Sequence, residues 1–319
     1  LKVGVKFWVI GLLLVGCSRD EVVFIPDLTR EENRSALLAE FTDGLVSHRI
    51  NYQGESMVIA ANDGLFIEIP SLAFSSLTTG EAVKGDIRID IQEVSRKKKN
   101  LLRIPSLVTE NGCLACEKLI QIRTSKNGEQ LQMDKPLYVF VPAPFSEQNN
   151  DASLFTIGSS QTDDHWDLLP PQMLLSDSGV WQMPYKESFY ECKGYRIRTD
   201  KGDGWYCIGS SLDFTEENGD DLCVELNPAF MPENTLVFFL AANRNAMIRL
   251  EKKESDPCYR FPFSGHPEKI PGKIITLSNF GNENYHFGMT NVVLGQATQI
   301  LVSPKATTKE EIANILRTL

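Results

Sequence analysis

The sequence predicts a mainly β protein: two β-sandwich-like domains with an N-terminal helix and a short C-terminal helix. Three observations carry this. Asp86-Ile87-Arg88-Ile89-Asp90-Ile91 alternates polar and apolar residues, as a half-buried strand does. Short apolar runs recur along the chain, separated by Gly, Asn, Asp and Pro turn residues. The spacing of an amphipathic helix is confined to the two ends.

Taken in order, Thr29 to His48 reads as a helix, with Leu37, Leu38, Phe41 and Leu45 as its apolar stripe. From Met57 the period falls to two. Met57–Ala60 leads through Asn62-Asp63-Gly64 into Leu65–Ile69, a hairpin pattern. Lys118–Thr124 and Gln130–Met133 flank Asn127-Gly128, a second hairpin, and Pro136–Pro142 is a further strand. Residues 171–204 show no clear period and read as irregular. Strands are then expected at Leu222–Leu226, Thr235–Ala241, Ala246–Leu250, Lys273–Leu277, Tyr285–Phe287 and Gln299–Val302. The chain closes on a helix whose capping box is Thr308 with Glu311, and whose apolar face is Ile312, Ile315, Leu316 and Leu319.

The N-terminus points to a location. Lys2 and Lys6 precede the apolar run Phe7–Gly16, which is shorter than the roughly 20 residues that a spanning helix needs. It has the size of a secretory h-region and ends in small residues before Cys17. The pattern resembles a bacterial lipoprotein signal, in which the cysteine becomes the lipidated first residue of the mature chain. Each lipid CH₂ buried adds about 0.8 kcal/mol, so two or three acyl chains anchor firmly. The acidic Asp20-Glu21 just behind Cys17 resembles a surface-export signal of Bacteroidota outer-membrane lipoproteins, against the plainer reading of a solvated tether. The expected organisation is a signal peptide 1–16, a lipidated tether and helix 17–54, a β-sandwich domain 55–170, an irregular connection 171–204, and a second β-rich domain with the C-terminal helix 205–319.

The chain has 319 residues and a formal net charge of −10. Losing residues 1–16, with Lys2 and Lys6 their only charges, makes it −12. That argues against a nucleic-acid partner and against charge-driven binding to anionic lipid. The membrane is therefore reached through the lipid, with no other cofactor expected.

Gly64-Leu65-Phe66-Ile67-Glu68-Ile69-Pro70, Ala73-Phe74, and Gly80 to Gly85 leading into Ile87, Ile89, Ile91, Glu93 and Val94 resemble an N-terminal β-sandwich module of Bacteroidota cell-surface lipoproteins. Thr109-Glu110-Asn111-Gly112, Ile120–Thr124, Asn127-Gly128 and Leu137–Pro142 follow in the module's order, and the likeness covers roughly 55–170. These motifs are structural, so the resemblance implies fold and surface location and imports no activity. The chain departs from the module at Cys113-Leu114-Ala115-Cys116, where small polar residues are usual.

Six cysteines remain after Cys17, an even number in an exported chain, so disulfides are expected among Cys113, Cys116, Cys207 and Cys223 in particular. Cys207 and Cys223 flank an expected hairpin and are the first candidate pair; reduced buried cysteines are the alternative. Cys113-x-x-Cys116 has dithiol spacing but falls in an expected turn, without the helix N-terminus that activates such a thiol. A zinc site needs two more ligands than it offers, so no metal site is assigned. The acidic run from Asp213 to Asp221 lacks the spacing of a calcium loop and reads as solvated. Lys97-Lys98-Lys99, with Arg96, reads as a solvated loop. His48, His165, His266 and His286 fall in no metal or catalytic motif. Trp166, Trp181 and Trp205 are candidate ligand-contact aromatics, to be weighed against plain core packing.

The leading functional expectation is a non-enzymatic, lipid-anchored outer-membrane protein that scaffolds or docks another envelope protein. A glycan-binding surface lipoprotein of an uptake system is the alternative, which needs one of those tryptophans exposed. An envelope enzyme, thiol-based or built from residues distant in sequence, is the third.

Overall fold

Turn chemistry places the strands, and residue alternation decides which face each buries. The computed structural model describes Leu37, Phe41 and residues 46–61, 64–94, 106–109, 112–143, 152–158, 166–185, 188–213, 222–242, 246–253, 256–261, 269–294 and 299–319, with backbone alone within 175–193. The chain runs through β1 (Val46–Tyr52), β2 (Met57–Ala60), β3 (Phe66–Ile69), β4 (Phe74–Ser76), β5 (Gly85–Val94), β6 (Val108–Thr109), β7 (Gly112–Lys126) and β8 (Glu129–Met133). It continues through β9 (Leu137–Pro142), β10 (Ser153–Gly158), β11 (Asp167–Leu168), β12 (Leu174–Tyr185), β13 (Ser188–Thr199), β14 (Asp203–Asp213) and β15 (Cys223–Glu225). The remainder is β16 (Thr235–Ala241), β17 (Met247–Lys252), β18 (Cys258–Arg260), β19 (Pro271–Asn279), β20 (Tyr285–Val293), β21 (Gln299–Leu301), β22 (Lys305–Thr307) and helix α1 (Lys309–Thr318). With 61% of residues in strands and 8% helical, the protein is mainly β, as expected, and one of its sheets is a half-barrel.

Three sheets form. The first has nine strands, with the path β1-β5-β7-β14-β10-β11 and β4, β6 and β8 attached beside it. The second has the order β12-β13-β9-β3-β2, and the third β21-β15-β18-β17-β16-β19-β20-β22. Among the described residues, the strand pairings are antiparallel apart from β15 with β21. The Asn127-Gly128 hairpin joins β7 to β8, both turn residues at positive φ (52° and 86°), the conformation that this dipeptide tolerates best. The 171–204 stretch, read from sequence as irregular, is instead the β12–β13 hairpin and the start of β14. Its β13 pairs with β9 and its β14 with β7 and β10, so it belongs to the first two sheets.

The first two sheets face each other across one core. Ile87, Ile89 and Ile91 of β5, Ile120 and Ile122 of β7, and Tyr206 and Ile208 of β14 meet Ile67, Ile69, Val139, Val141, Tyr195 and Ile197 of the second sheet. A second core is lined by alternate residues of the third sheet, among them Val224, Val237, Phe239, Ile248, Leu250 and Tyr259, and takes in Val108 and Cys113 from the first. The reverse face of the third sheet, through Leu236, Phe238, Leu240, Ile275 and Leu277, is covered by Ile312 and Leu316 of α1 and by Leu37 and Phe41. The predicted capping box is present: Glu311 N–H donates to Thr308 Oγ1, and Thr308 N–H to Glu311 Oε2. Of the helix expected over Thr29–His48, the described residues are Leu37, Phe41 and Val46–His48, and the last three open β1. No helix among the described residues is long and apolar enough to cross a membrane.

Tyr52 fastens the corner between β1 and β4. Its ring is fully buried edge-on to Phe74, at 5.4 Å between centroids. Its hydroxyl donates to Pro70 O and accepts from Ala73 N–H, each at 2.8 Å. Tyr52→Phe leaves the buried Ala73 amide and the partly buried Pro70 carbonyl without this partner, so urea melts should show a loss of about 1–3 kcal/mol. A change within a few tenths of a kcal/mol would show the hydroxyl to be energetically idle.

Candidate functional site

Strand register places a charged and aromatic face on the outside of the second sheet. Residues alternate along β3, β9 and β13, so the chain neighbours of the core-facing Ile67, Val139 and Ile197 point away from the core. Two cross-strand rows result: Phe66–Phe140–Arg196, and Glu68–Tyr138–Arg198. The Arg196 guanidinium lies over the Tyr138 ring at 4.2 Å and over Phe140 at 5.2 Å, and its Nη2 stands 3.3 Å from Glu68 Oε2. Cation–π contacts of this kind contribute about 0.5–1 kcal/mol at exposed sites. The Arg196 and Glu68 side chains remain 30% and 41% exposed. Arg198 is exposed and has no ion-pair partner among the described residues. Beside this face runs β2, an edge strand of uncharged residues whose Val58 is 43% exposed.

A bulge builds a second polar cluster at one end of the first core. Ile208 pairs with Lys118 and Gly209 with Cys116, so Glu117 is an extra residue on β7. Glu117 and Lys118 therefore both reach groups of the core-facing side. Lys118 Nζ stands 3.0 Å from Glu93 Oε1, and Tyr195 Oη donates to Glu117 Oε2 at 2.8 Å. The pair is largely buried, with 19% of the Lys118 and 7% of the Glu93 side chain exposed. These charges are committed to one another, which suits bracing better than proton transfer to a substrate.

The cysteines pair differently from the expectation. Cys116 bonds to Cys207 across β7 and β14, and Cys223 to Cys258 across β15 and β18, with Cα separations of 6.0 and 5.1 Å. Cys207 and Cys223 do not pair, because β14 and β15 lie in different sheets instead of forming a hairpin. Cys113-x-x-Cys116 is extended strand, not a turn; Cys113 is buried in the second core and Cys116 faces Cys207. Cys223, Glu225 and Cys258 bring ligand atoms within 4.8 Å of one another. Bonded sulfurs are not the thiolates that hold zinc, however, and Gln299 Nε2 donates to Glu225 Oε1 at 2.7 Å.

Trp166 and Trp205, candidate ligand-contact aromatics weighed against core packing, are core residues. They are 3% and 5% exposed and pack with Phe155, Ile157, Leu119 and the Cys116–Cys207 bond on the reverse face of the first sheet. Trp166 also ties in the strand before β7: its Nε1–H donates to Ser106 O and its backbone N–H to Val108 O, both at 2.9 Å. The Trp181 backbone lies in β12, and its side chain is outside the described residues, as are Cys17, Lys97–Lys99, residues 214–221, His165 and His266. Of the remaining histidines, His48 stands on the β1 edge and His286 on β20. His286 sits edge-on to Phe280 and Phe230, with centroids 4.9 and 5.7 Å away. The outer face of the second sheet was not found by reading the sequence, because Tyr138 and Phe140 pass as ordinary strand residues and Arg196 and Arg198 fall in the stretch that looked irregular.

Comparison with protein-family models, with curated proteins and with solved structures gives no match.

Two predictions follow from these clusters. Lys118→Met strands a buried carboxylate and should cost about 3–5 kcal/mol, whereas Lys118→Met with Glu93→Leu should recover most of the loss. Equal losses in the single and double variants would show that the two groups do not act as a pair. His286 gives a pH signature. Burial against the two phenylalanines pushes its pKa below the ordinary 6.5, opposed by a weaker hydrogen bond with the Asn284 backbone. The unfolded chain then binds a proton that the folded chain refuses, so stability should fall as pH drops below about 6.5 and be unaffected by this group above about 7.5. Calorimetry of His286→Phe should show a shallower fall in that window. The carboxylates of Asp256, hydrogen-bonded by Arg260, and of Glu311, hydrogen-bonded by Thr307, are held below their usual range and act only at lower pH. An unchanged profile in the variant would remove His286 as the cause.

Proposed function

We propose that this chain is a lipid-anchored cell-envelope protein of the Bacteroidota surface type, held in the outer membrane through Cys17, that docks another envelope protein and does not itself catalyse a reaction. The N-terminal pattern of Lys2, Lys6, Phe7–Gly16 and Cys17 supports the anchor. In this reading the chain forms two β-rich units, the first closed by β14, carried on a helical spacer behind the lipid. It uses no nucleic acid and no cofactor beyond the acyl chains.

One observation carries the docking reading: the Arg196–Tyr138–Phe140 face of the second sheet. Interfaces are enriched in Arg and Tyr, and their energy concentrates at such side chains. Arg196 and Arg198 outnumber Glu68 there, an excess of positive charge on a chain of net charge −10. The complementary partner is an envelope protein with an acidic docking surface. The test places a photo-crosslinking residue at position 198 of the full lipidated chain in its own outer membrane, alongside protease shaving of whole cells. The expected product is one crosslinked protein whose contact surface, mapped by peptide analysis, is acidic, with crosslinking lost at high salt and in Arg196→Glu. A salt-insensitive crosslink, a basic contact surface, or no crosslink from this face would overturn the reading.

A further inference from the structure

We infer that a groove on the first sheet, between the β4–β5 loop and the β7–β8 hairpin, is a binding site for a neutral saccharide. The groove encloses ≈ 490 Å³, within the roughly 300–1,000 Å³ of small-ligand sites. Its lining includes two buried apolar side chains, Val83 and Leu131. Around them stand Glu81, Lys84, Lys126, Asn127 and Glu129.

The walls are held in place before any ligand arrives. Thr78 Oγ1 donates to Glu129 Oε1 at 2.5 Å, and Lys126 Nζ donates to Lys84 O at 2.7 Å, so side chains cross-link loop and hairpin in both directions. The loop is further set by Ser76, whose Oγ accepts from the N–H groups of Thr78 and Thr79. The hairpin turn at Asn127-Gly128 adopts the left-handed conformation that this dipeptide favours. Preformed walls reduce the ordering cost of binding.

The lining selects the ligand class. Two carboxylates and two ammonium groups cancel, so an ionic ligand meets as much repulsion as attraction. A neutral polyol can donate to Glu81 and accept from Lys84 and from the Asn127 amide, whose side chains have no hydrogen-bond partner among the described residues. A pyranose presents an apolar C–H face and a rim of hydroxyls, which match Val83 and Leu131 below and the polar groups around them. The site shares no residue with the outer face of the second sheet and is independent of the docking proposal.

The test screens the full chain against an array of neutral gluco-, manno-, galacto-, xylo- and N-acetylglucosamine oligosaccharides beside anionic glycans, with hits measured by calorimetry. At least one neutral series should bind, and Glu81→Gln combined with Asn127→Gly, which removes the amide and keeps the left-handed turn, should weaken it at least tenfold without changing the melting temperature. Glu81 and Asn127 are exposed, so the variant should fold; Lys84→Ala provides a second reading of the same wall. No binding to any neutral series, binding confined to anionic glycans, or binding that survives both variants would overturn the assignment.

Discussion

Strand β7 is the constraint on which the rest of the structure depends. It lies between β5 and β14, carries β6 and β8 as well, and is buried on both faces. Ile120 and Ile122 enter the first core, Leu119 packs with the tryptophans on the reverse face, and Cys113 reaches the second core. A strand enclosed on both sides must satisfy two hydrophobic surfaces with one period-two pattern, and a slip of one residue would exchange them. The bulge at Glu117 performs that exchange within the strand. On one side of it Leu114 and Cys116, at even positions, face the tryptophans; on the other side Leu119, at an odd position, faces them too. The extra residue keeps the reverse-face cluster continuous, and the Cys116–Cys207 bond fixes the same register covalently.

This phase change explains where the sequence misleads. Strands with one period and a marked turn were legible: Thr235–Ala241 was read with the bounds of β16, and the Asn127-Gly128 hairpin was found from its dipeptide. The capping box at Thr308 was legible because a cap is local chemistry. The Cys113–Cys116 stretch was misread as a turn because a bulge breaks alternation in the same way that a turn does. The 171–204 segment was misread because the alternation at Tyr195-Arg196-Ile197-Arg198 is short, and β12 beside it breaks register between Asp177 and Trp181.

The candidate sites were less legible than the fold for a related reason. Both surface sites are assembled from residues far apart in the chain. Glu68, Tyr138 and Arg196 meet through strand order, and Glu81 and Asn127 line one groove because two separate loops close at one end of a sheet. Sequence spacing carries no record of either meeting. Composition was a poor guide as well: Trp166 and Trp205, with the largest flat side chains, were drawn into the core by the reverse-face cluster, where Trp166 satisfies its indole N–H on Ser106. The smaller Tyr138 and Phe140 were left half-buried outside.

The way Arg196 is held bears on what its face can do. A free arginine loses much side-chain freedom on entering an interface, which offsets part of the charge interaction it gains. Stacking on Tyr138 and contact with Glu68 have already restricted Arg196. Its planar fork loses less per hydrogen bond formed than a lysine would, and Arg198, two residues along the same strand face, adds charge without competing for the same ring. Glu68 moderates the pair without cancelling it. The face thus combines one stacked cation, one exposed cation and two half-buried rings on one sheet. A protein surface of opposite charge can use all three at once, whereas a small anion could use only the cations.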